Sequence, residues 1–409
     1  MKIEDRFISY TKIDTTSDSK SKTCPSTPNQ LVLAQMLVDE LAYLGIKDAR
    51  KDENGFVYGT VKSNVDYKTD VIGFLAHMDT SDATSGENIK ARIIRNYDGK
   101  DIILSDGIYS RVSDYPFLAD LKGKDLIVTD GTTLLGGDDK AGIAIIMDFV
   151  QYLYENPEIK HGRIALCFTP DEEIGTGILK IDLEQFVCDY AYTLDGGPVN
   201  YVTYENFNAA SATVTFNGNS IHPGEAKNKM INANQLAVDF HNMLPVNQRA
   251  EFTEKREGFN HLLEITGNCQ QAKSSYIIRN HDLELLHQQI RYFELITMHM
   301  NEMYNRQVVE LQIKESYYNM KECLKEKMFV VKQAAEAIEQ LGYTVKYDPV
   351  RGGTDGARLS FMGIVTPNLG TGGRNCHGNH ELVIIDEMKE MVKVLINIVN
   401  IVVERGVKE

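Results

Sequence analysis

The sequence predicts an α/β catalytic domain, a mixed and largely parallel sheet between helices, with a smaller α+β domain inserted through it. Three observations carry this expectation. Short continuous apolar runs of strand length alternate with helical patterns in the first half of the chain and again near its end. Between about 208 and 320 the pattern changes to amphipathic strands and helices. Acids and histidines stand directly after the apolar runs, at the strand ends where open α/β sheets bind ligands. At roughly 150 residues per domain, 409 residues suffice for more than one domain.

The elements follow in order. Thr27 and Pro28 read as the N-cap and first turn of a helix bearing Leu31, Met36, Leu37, Leu41 and Leu44, which Gly45 stops. VIGFLA at 71–76 is short, continuous and β-rich, the pattern of a buried strand. Residues 141–154 form an apolar helix behind GGDDK, and 163–169 and 189–194 are two further buried strands. From ATVTFNG onward the order becomes strand, helix (231–243), strand (274–280), long polar helix (281–304) and strand (307–315). A helix near 325–341, the glycine-rich RGGTDGA at 351–357 and a closing helix at 386–403 then return to the α/β pattern of the first half. The expected division is a discontinuous catalytic domain, 1–207 with 321–409, and an inserted domain, 208–320.

Composition narrows the function. Apolar residues at 43% and charged residues at 25% are those of a globular chain, not a disordered one. With 43 Lys and Arg against 58 Asp and Glu, the formal charge is −15, and no basic patch is visible to hold nucleic acid. No apolar run reaches the roughly 18 residues of a membrane span, and MKIEDRFISY has no signal-peptide core. Six cysteines without CxxC spacing suit reduced thiols, so the expected location is the cytoplasm.

The acids and histidines carry the chemistry. VIGFLA ends at His77, with Asp79 two residues on; RIALCFTP ends in Asp171, Glu172 and Glu173; DYAYTL ends at Asp195. Asp138 and Asp139 precede a helix, and His377, His380 and Glu381 follow TGGRN. Each group alone is ordinary, since adjacent acids are usually a solvated pair and GGDD is often a turn. Together they are not, because carboxylates gathered at buried strand ends need cations to neutralise them. Imidazole and carboxylate donors suit a pair of zinc-like ions, and the histidines disfavour an all-oxygen calcium site. One acid of the Glu172–Glu173 pair can ligate while its neighbour takes a proton from water, and Asp79 can hold the His77 ring in its ligating tautomer. This is the equipment of metal-assisted amide or ester hydrolysis.

The motifs HMDTS, TLLGGDDKAGIA, FTPDEEIGTG, YTLDGGP, HPGEAK and LGTGGRNCHGNHE resemble those of the co-catalytic zinc metallopeptidases, the family of glutamate carboxypeptidases, aminoacylases and related dipeptidases. ENFNAAS, ESYYNM and RGGTDGA are similar to its tripeptide aminopeptidase branch, the peptidase T group, and the likeness spans essentially the whole chain. The resemblance implies two zinc ions per subunit, with His77 and Asp195 on one, Glu173 and His377 on the other, and Asp138 bridging. It implies Asp79 as the support of the first histidine and Glu172 as general base. It further implies that the inserted domain mediates homodimerisation and that His222 reaches the partner's site to stabilise the oxyanion. Arg279 and Arg351 are candidates for the substrate carboxylate and Asn206 for a substrate terminus. Two departures stand out: Gly137 where alanine is common, and Cys376 where tyrosine is common. The implied reaction is release of the N-terminal residue from a tripeptide. A dipeptidase, carboxypeptidase or N-acyl amino-acid hydrolase shares the same metal motifs, and an inactive peptide-binding protein would have lost a ligand or the base.

Overall fold

The computed structural model describes residues 1–406, which form two compact units. The first holds Met1–Tyr204, Cys323–Asp348 and the chain from Thr354 on; the second holds Glu205–Glu322 with Pro349–Gly353. Residues 349–353 cluster with the second unit, whereas the sequence pattern places them with the catalytic domain. The reason is local pairing: Val350 donates its N–H to the Glu205 carbonyl at 2.9 Å, and Val350 also bridges Asn206.

In the first unit the main sheet has eight strands, ordered 50–51, 57–61, 164–169, 72–77, 190–194, 368–369, 201–203 and 346–347. Ile72–His77 runs parallel to both neighbours, Ile164–Thr169 and Tyr190–Leu194, and Asn368–Leu369 continues that direction. Val57–Val61 is antiparallel, so the sheet is mixed, as expected. Every residue of the three central strands is buried, which explains why their sequences are continuously apolar rather than alternating. Leu75, Cys167 and Ala191 pack with Phe186 and Leu359 on one face. On the other, Phe74 meets Phe149 edge-on, and the Tyr190 and Tyr192 hydroxyls donate to Gln333 Oε1 and the Val330 carbonyl. Burial of each such ring contributes roughly 1.5–3 kcal/mol.

This arrangement positions the site. The parallel strands all finish at the same edge of the sheet, at Thr169, His77 and Leu194, and the chain leaves them through Asp171–Glu173, Asp79 and Asp195. A second antiparallel sheet, ordered 373–374, 382–384, 126–128 and 92–94, brackets the segment that carries His377. Its strands are only two or three residues long, too short to leave a periodic signal in the sequence.

The second unit is a four-stranded antiparallel sheet, ordered 259–267, 271–280, 208–217 and 309–317, with helices Ala233–Met243 and Leu283–Met303. Burial alternates along 208–217 and 271–280, and Val214, Phe216, Phe240, Tyr276 and Phe293 share its core. Asn232 and Asp282 cap the two helices by accepting from Asn234 N and Leu285 N. The strand Phe259–Gly267 is not expected from the sequence. It is an edge strand with a bulge between Leu262 and Glu264, and it leaves Leu263 58% exposed, so its alternation is broken. Among the described residues no helix is long and apolar enough to cross a membrane.

Candidate metal centre

His77 is the last residue of its strand and is 2% exposed. Its Nδ1 lies 3.0 Å from the Asp79 carbonyl oxygen, so an Nδ1–H tautomer leaves Nε2 free to face the site. That Nε2 is 2.9 Å from Asp138 Oδ1 and 4.0 Å from Asp195 Oδ1. The fully buried Asp79 carboxylate accepts the N–H of Glu172 at 2.9 Å on one oxygen and that of Glu173 at 3.1 Å on the other. One acid thus ties the end of a strand to the turn that carries two further acids.

Asp138 stands in a loop that is not yet helical. Gly136 adopts φ +76°, which glycine tolerates without a Cβ penalty, and Asp138 has φ −85° and ψ 103°. The Asp138 carboxylate turns one oxygen to each histidine: Oδ1 to His77 Nε2 at 2.9 Å and Oδ2 to His377 Nε2 at 3.1 Å. Its neighbour Asp139 points the other way and accepts the backbone N–H of His77 and Gly142. His377 Nε2 also lies 3.0 Å from Glu173 Oε1. The ligand atoms of His77, Glu172 and Asp195 fall within 4.8 Å of one another, and so do those of His77, Asp138 and Glu173.

The electrostatics follow from this crowding. Burial and the Asp138 charge push Asp195 up to about 7. Burial and the Asp195 charge hold Glu172 well above the usual carboxylate range. Burial opposes charge on His77, yet its bonds to Asp138 and Asp79 outweigh it and raise the imidazole well above its ordinary value. Contacts with Asp138 and Glu173 push His377 up to about 10. Burial opposes charge on Asp138 as well, but the two histidines keep its carboxyl well below the ordinary range. Acids outnumber the imidazoles that face them, a surplus of negative charge that cations relieve. Glu173 Oε1 is buried without an aligned hydrogen bond, despite its closeness to His377. An imidazole and carboxylate donor set with such an open acceptor fits a pair of divalent metal ions.

The structure thus brings together His77, Asp79, Asp138, Glu172, Glu173, Asp195 and His377. The other four candidates belong to the second unit. His222 is exposed and caps a short turn, its Nδ1 accepting from Gly224 N at 3.1 Å. Arg279 donates through Nη1 to the Ala210 and Ile278 carbonyls, with its guanidinium over Tyr317. Arg351 binds the Lys255 and Glu257 carbonyls through Nη1 and Thr253 Oγ1 through Nη2, and lies over Phe207 and Phe259. Asn206 is fully buried, donating to the Phe207 and Tyr318 carbonyls and accepting from Met320 N.

Sequence reasoning missed several supporting residues. Asp171, at φ +56°, accepts from Ser26 N, Ser26 Oγ and Gln30 Nε2, and so anchors the turn bearing Glu172 to the start of the helix Asn29–Tyr43. Asp355, from RGGTDGA, accepts from Thr169 Oγ1 at 2.6 Å beside the same strand ends. Gln30 lies at the buried start of an otherwise amphipathic helix, and a polar residue at such a position was the available signal.

Comparison with known proteins agrees with this picture. A family model for the peptidase dimerisation domain matches residues 204–302. The peptidase T of Brevibacillus brevis is 48% identical over 406 residues, covering 99% of each chain. The crystal structure of the aminopeptidase PepT from Bacillus cereus superposes with a TM-score of 0.77 at 22% identity, covering 98% of both chains. A dinuclear metal-binding peptidase of the M20 family from Bacillus subtilis shares the fold at a TM-score of 0.64 and 15% identity, again over 98% of each chain. With relatives named peptidase T aligned along nearly its entire length at 47–48% identity, the chain belongs to the peptidase T family.

Proposed function

We propose that the chain hydrolyses the N-terminal peptide bond of tripeptides with two zinc ions, releasing an amino acid and a dipeptide. The observation that carries this is the Asp138 carboxylate, whose two oxygens face two different histidines at 2.9 and 3.1 Å. On this reading His77 and Asp195 would hold one ion and Glu173 and His377 the other, with Asp138 shared between them. When bound, the metals supply Lewis acidity and make a water molecule acidic enough to deprotonate near neutral pH. Glu172 would take a proton at its carboxylate from the attacking water and return it to the leaving amine. Asp79 keeps the Glu172 turn and the His77 ring in register through its contacts with both.

The second unit supplies the remaining roles. His222 of the partner subunit stabilises the oxyanion in a homodimer, as the resemblance implies, and the match to the peptidase dimerisation model and the exposed Leu263 and Ile265 of the edge strand support association. Arg351, the better candidate on the sequence, and Arg279 are the candidates for the substrate carboxylate; both are held within their own unit, Arg351 by the 253–257 loop and Arg279 by the Ala210 and Ile278 carbonyls. The proposed location is the cytoplasm, which the scattered spacing of the six cysteines supports.

The test is mass spectrometry of one zinc-loaded digest of a dipeptide, a tripeptide, a tetrapeptide and an N-acetylated tripeptide, with a chelator control. Release of the N-terminal residue from the tripeptide alone is expected. Cleavage of the blocked peptide, or release from the carboxyl end, would move the chain to another peptidase or amidohydrolase of the family. No cleavage with zinc bound would make it a peptide-binding protein.

A further inference from the structure

We propose that Glu381 is a positioning residue, which holds Asp138 so that a second metal ion can be bound; this rests on the dinuclear reading above. Glu381 is 1% exposed, and its carboxylate accepts three backbone N–H groups of one loop. Leu135 N and Gly136 N lie 2.7 and 2.8 Å from Oε2, and Asp138 N lies 3.0 Å from Oε1. Successive amides converging on one anion form a nest, which fixes loop conformation as well as charge. The conformation fixed here is not one a helix would impose. Gly136 is left-handed, and Asp138 is extended in ψ at the point where its carboxylate must face both histidines.

Two further features agree. A Cβ at Gly137 would come within 2.9 Å of Glu381 Oε1 and 2.5 Å of Val383 Cγ2. Glycine at 137 therefore leaves room for the Glu381 carboxylate to close on the loop. Glu381 also lies four residues beyond His377, in the segment between the paired strands Gly373–Arg374 and Leu382–Ile384. That one segment touches Asp138 twice, with His377 Nε2 at the carboxylate and Glu381 Oε1 at the amide. Glu381 thereby couples the placement of two ligands, Asp138 and His377, whereas His77 ends one central strand and Asp195 directly follows another. Its loss falls hardest on the site that depends on Asp138 and His377 together.

The experiment titrates zinc into chelator-stripped, full-length parent, Glu381→Gln and Glu381→Asp, in competition with a chromophoric chelator, with metal content checked by elemental mass spectrometry. Glutamine keeps the size but sets an NH2 against backbone N–H groups; aspartate keeps the charge but is too short to span all three. The parent is expected to bind two equivalents. In the variants both equivalents should bind more weakly, because both share Asp138; the second, which also depends on the placement of His377, should weaken the more, by about 10–100-fold, the range for lost support of a metal ligand. kcat should recover as zinc is raised to saturation. Parent-like affinity for both equivalents, equal weakening of both, or no recovery at saturating zinc would overturn the proposal. If Glu381→Gln does not fold, Glu381→Asp carries the comparison, and failure of both to fold would overturn it by assigning Glu381 to fold stability alone. A parent that binds no second equivalent would sink the dinuclear reading before any variant is measured, and the clamp with it.

Discussion

Glu172 and Glu173 are neighbours in sequence with different surroundings. Asp79 receives both backbone N–H groups, but Glu173 meets His377, while Glu172 lies beside His77 and Asp195 without that contact, the placement of a base rather than of a ligand. Glu172→Ala is therefore expected to lower kcat by roughly 10²–10⁴-fold, with zinc content unchanged by elemental analysis. Full activity in that variant would remove it as the base. The histidines make a second prediction. Metal-free His377 titrates at about 10 and His77 well above its ordinary value, so both carry protons at pH 7, whereas a ligating imidazole must be neutral. Zinc binding should release protons at pH 7, from the histidines and from Asp195, which burial and the Asp138 charge push up to about 7, and apparent affinity should weaken on acidification. Calorimetry in buffers of different ionisation enthalpy measures this directly; a buffer-independent heat would contradict it.

At the scale of elements, the site depends on a contact between a helix start and a turn far apart in sequence. Gln30 and Ser26 hold the buried Asp171 carboxylate, and Gln30 Oε1 in turn accepts the Asp171 N–H at 3.2 Å. Gln30→Ala leaves both sides of that pair short of partners inside the protein, which costs about 1–3 kcal/mol, readable as a lowered midpoint in urea unfolding. Because Asp171 immediately precedes Glu172, kcat should fall with KM and zinc content little changed. A variant with parent-like stability and kcat would show that the helix start has no part in placing the turn. The strands needed no such inference. Continuous apolar runs at 71–76 and 163–169 predict central buried strands, and those strands lie within a residue of the expected bounds. The strand 259–267 escapes because a solvent-facing, bulged edge strand lacks the alternation on which such reasoning depends.

At the scale of the whole molecule, activity depends on assembly if His222 acts across a homodimer. His222→Ala should then lose most of its kcat yet keep the parent's sedimentation behaviour. Mixing it with Glu172→Ala, under conditions that exchange subunits, should restore up to about half of the sites in each mixed dimer, since one combination pairs a sound base with a sound histidine. Demonstrably mixed dimers without recovery would rule out action in trans. The exposed His222, fixed only by its own turn through Gly224, is placed to be substituted without damage to the core of its unit.

By itself the sequence determined the class of fold, the family and the residue types of the centre, because these rest on local signals: apolar runs, the acids and histidines that follow them, and motifs of fixed spacing. It also separated Asp138 from Asp139 and His377 from His380, though only through resemblance, since neighbouring acids are indistinguishable until backbone torsions aim them. Only the tertiary structure turned Asp138 toward both histidines and Asp139 away from them. It alone made Glu381 a three-amide clamp and joined Gln30 to Asp171. Arg351 and Asn206, single polar residues in family-specific motifs, are occupied by backbone carbonyls of their own unit. The physical reason is the same throughout. A side chain's donors and acceptors are committed by whichever backbone groups the fold brings within about 3 Å, and that proximity is set by long-range packing, which no local pattern encodes.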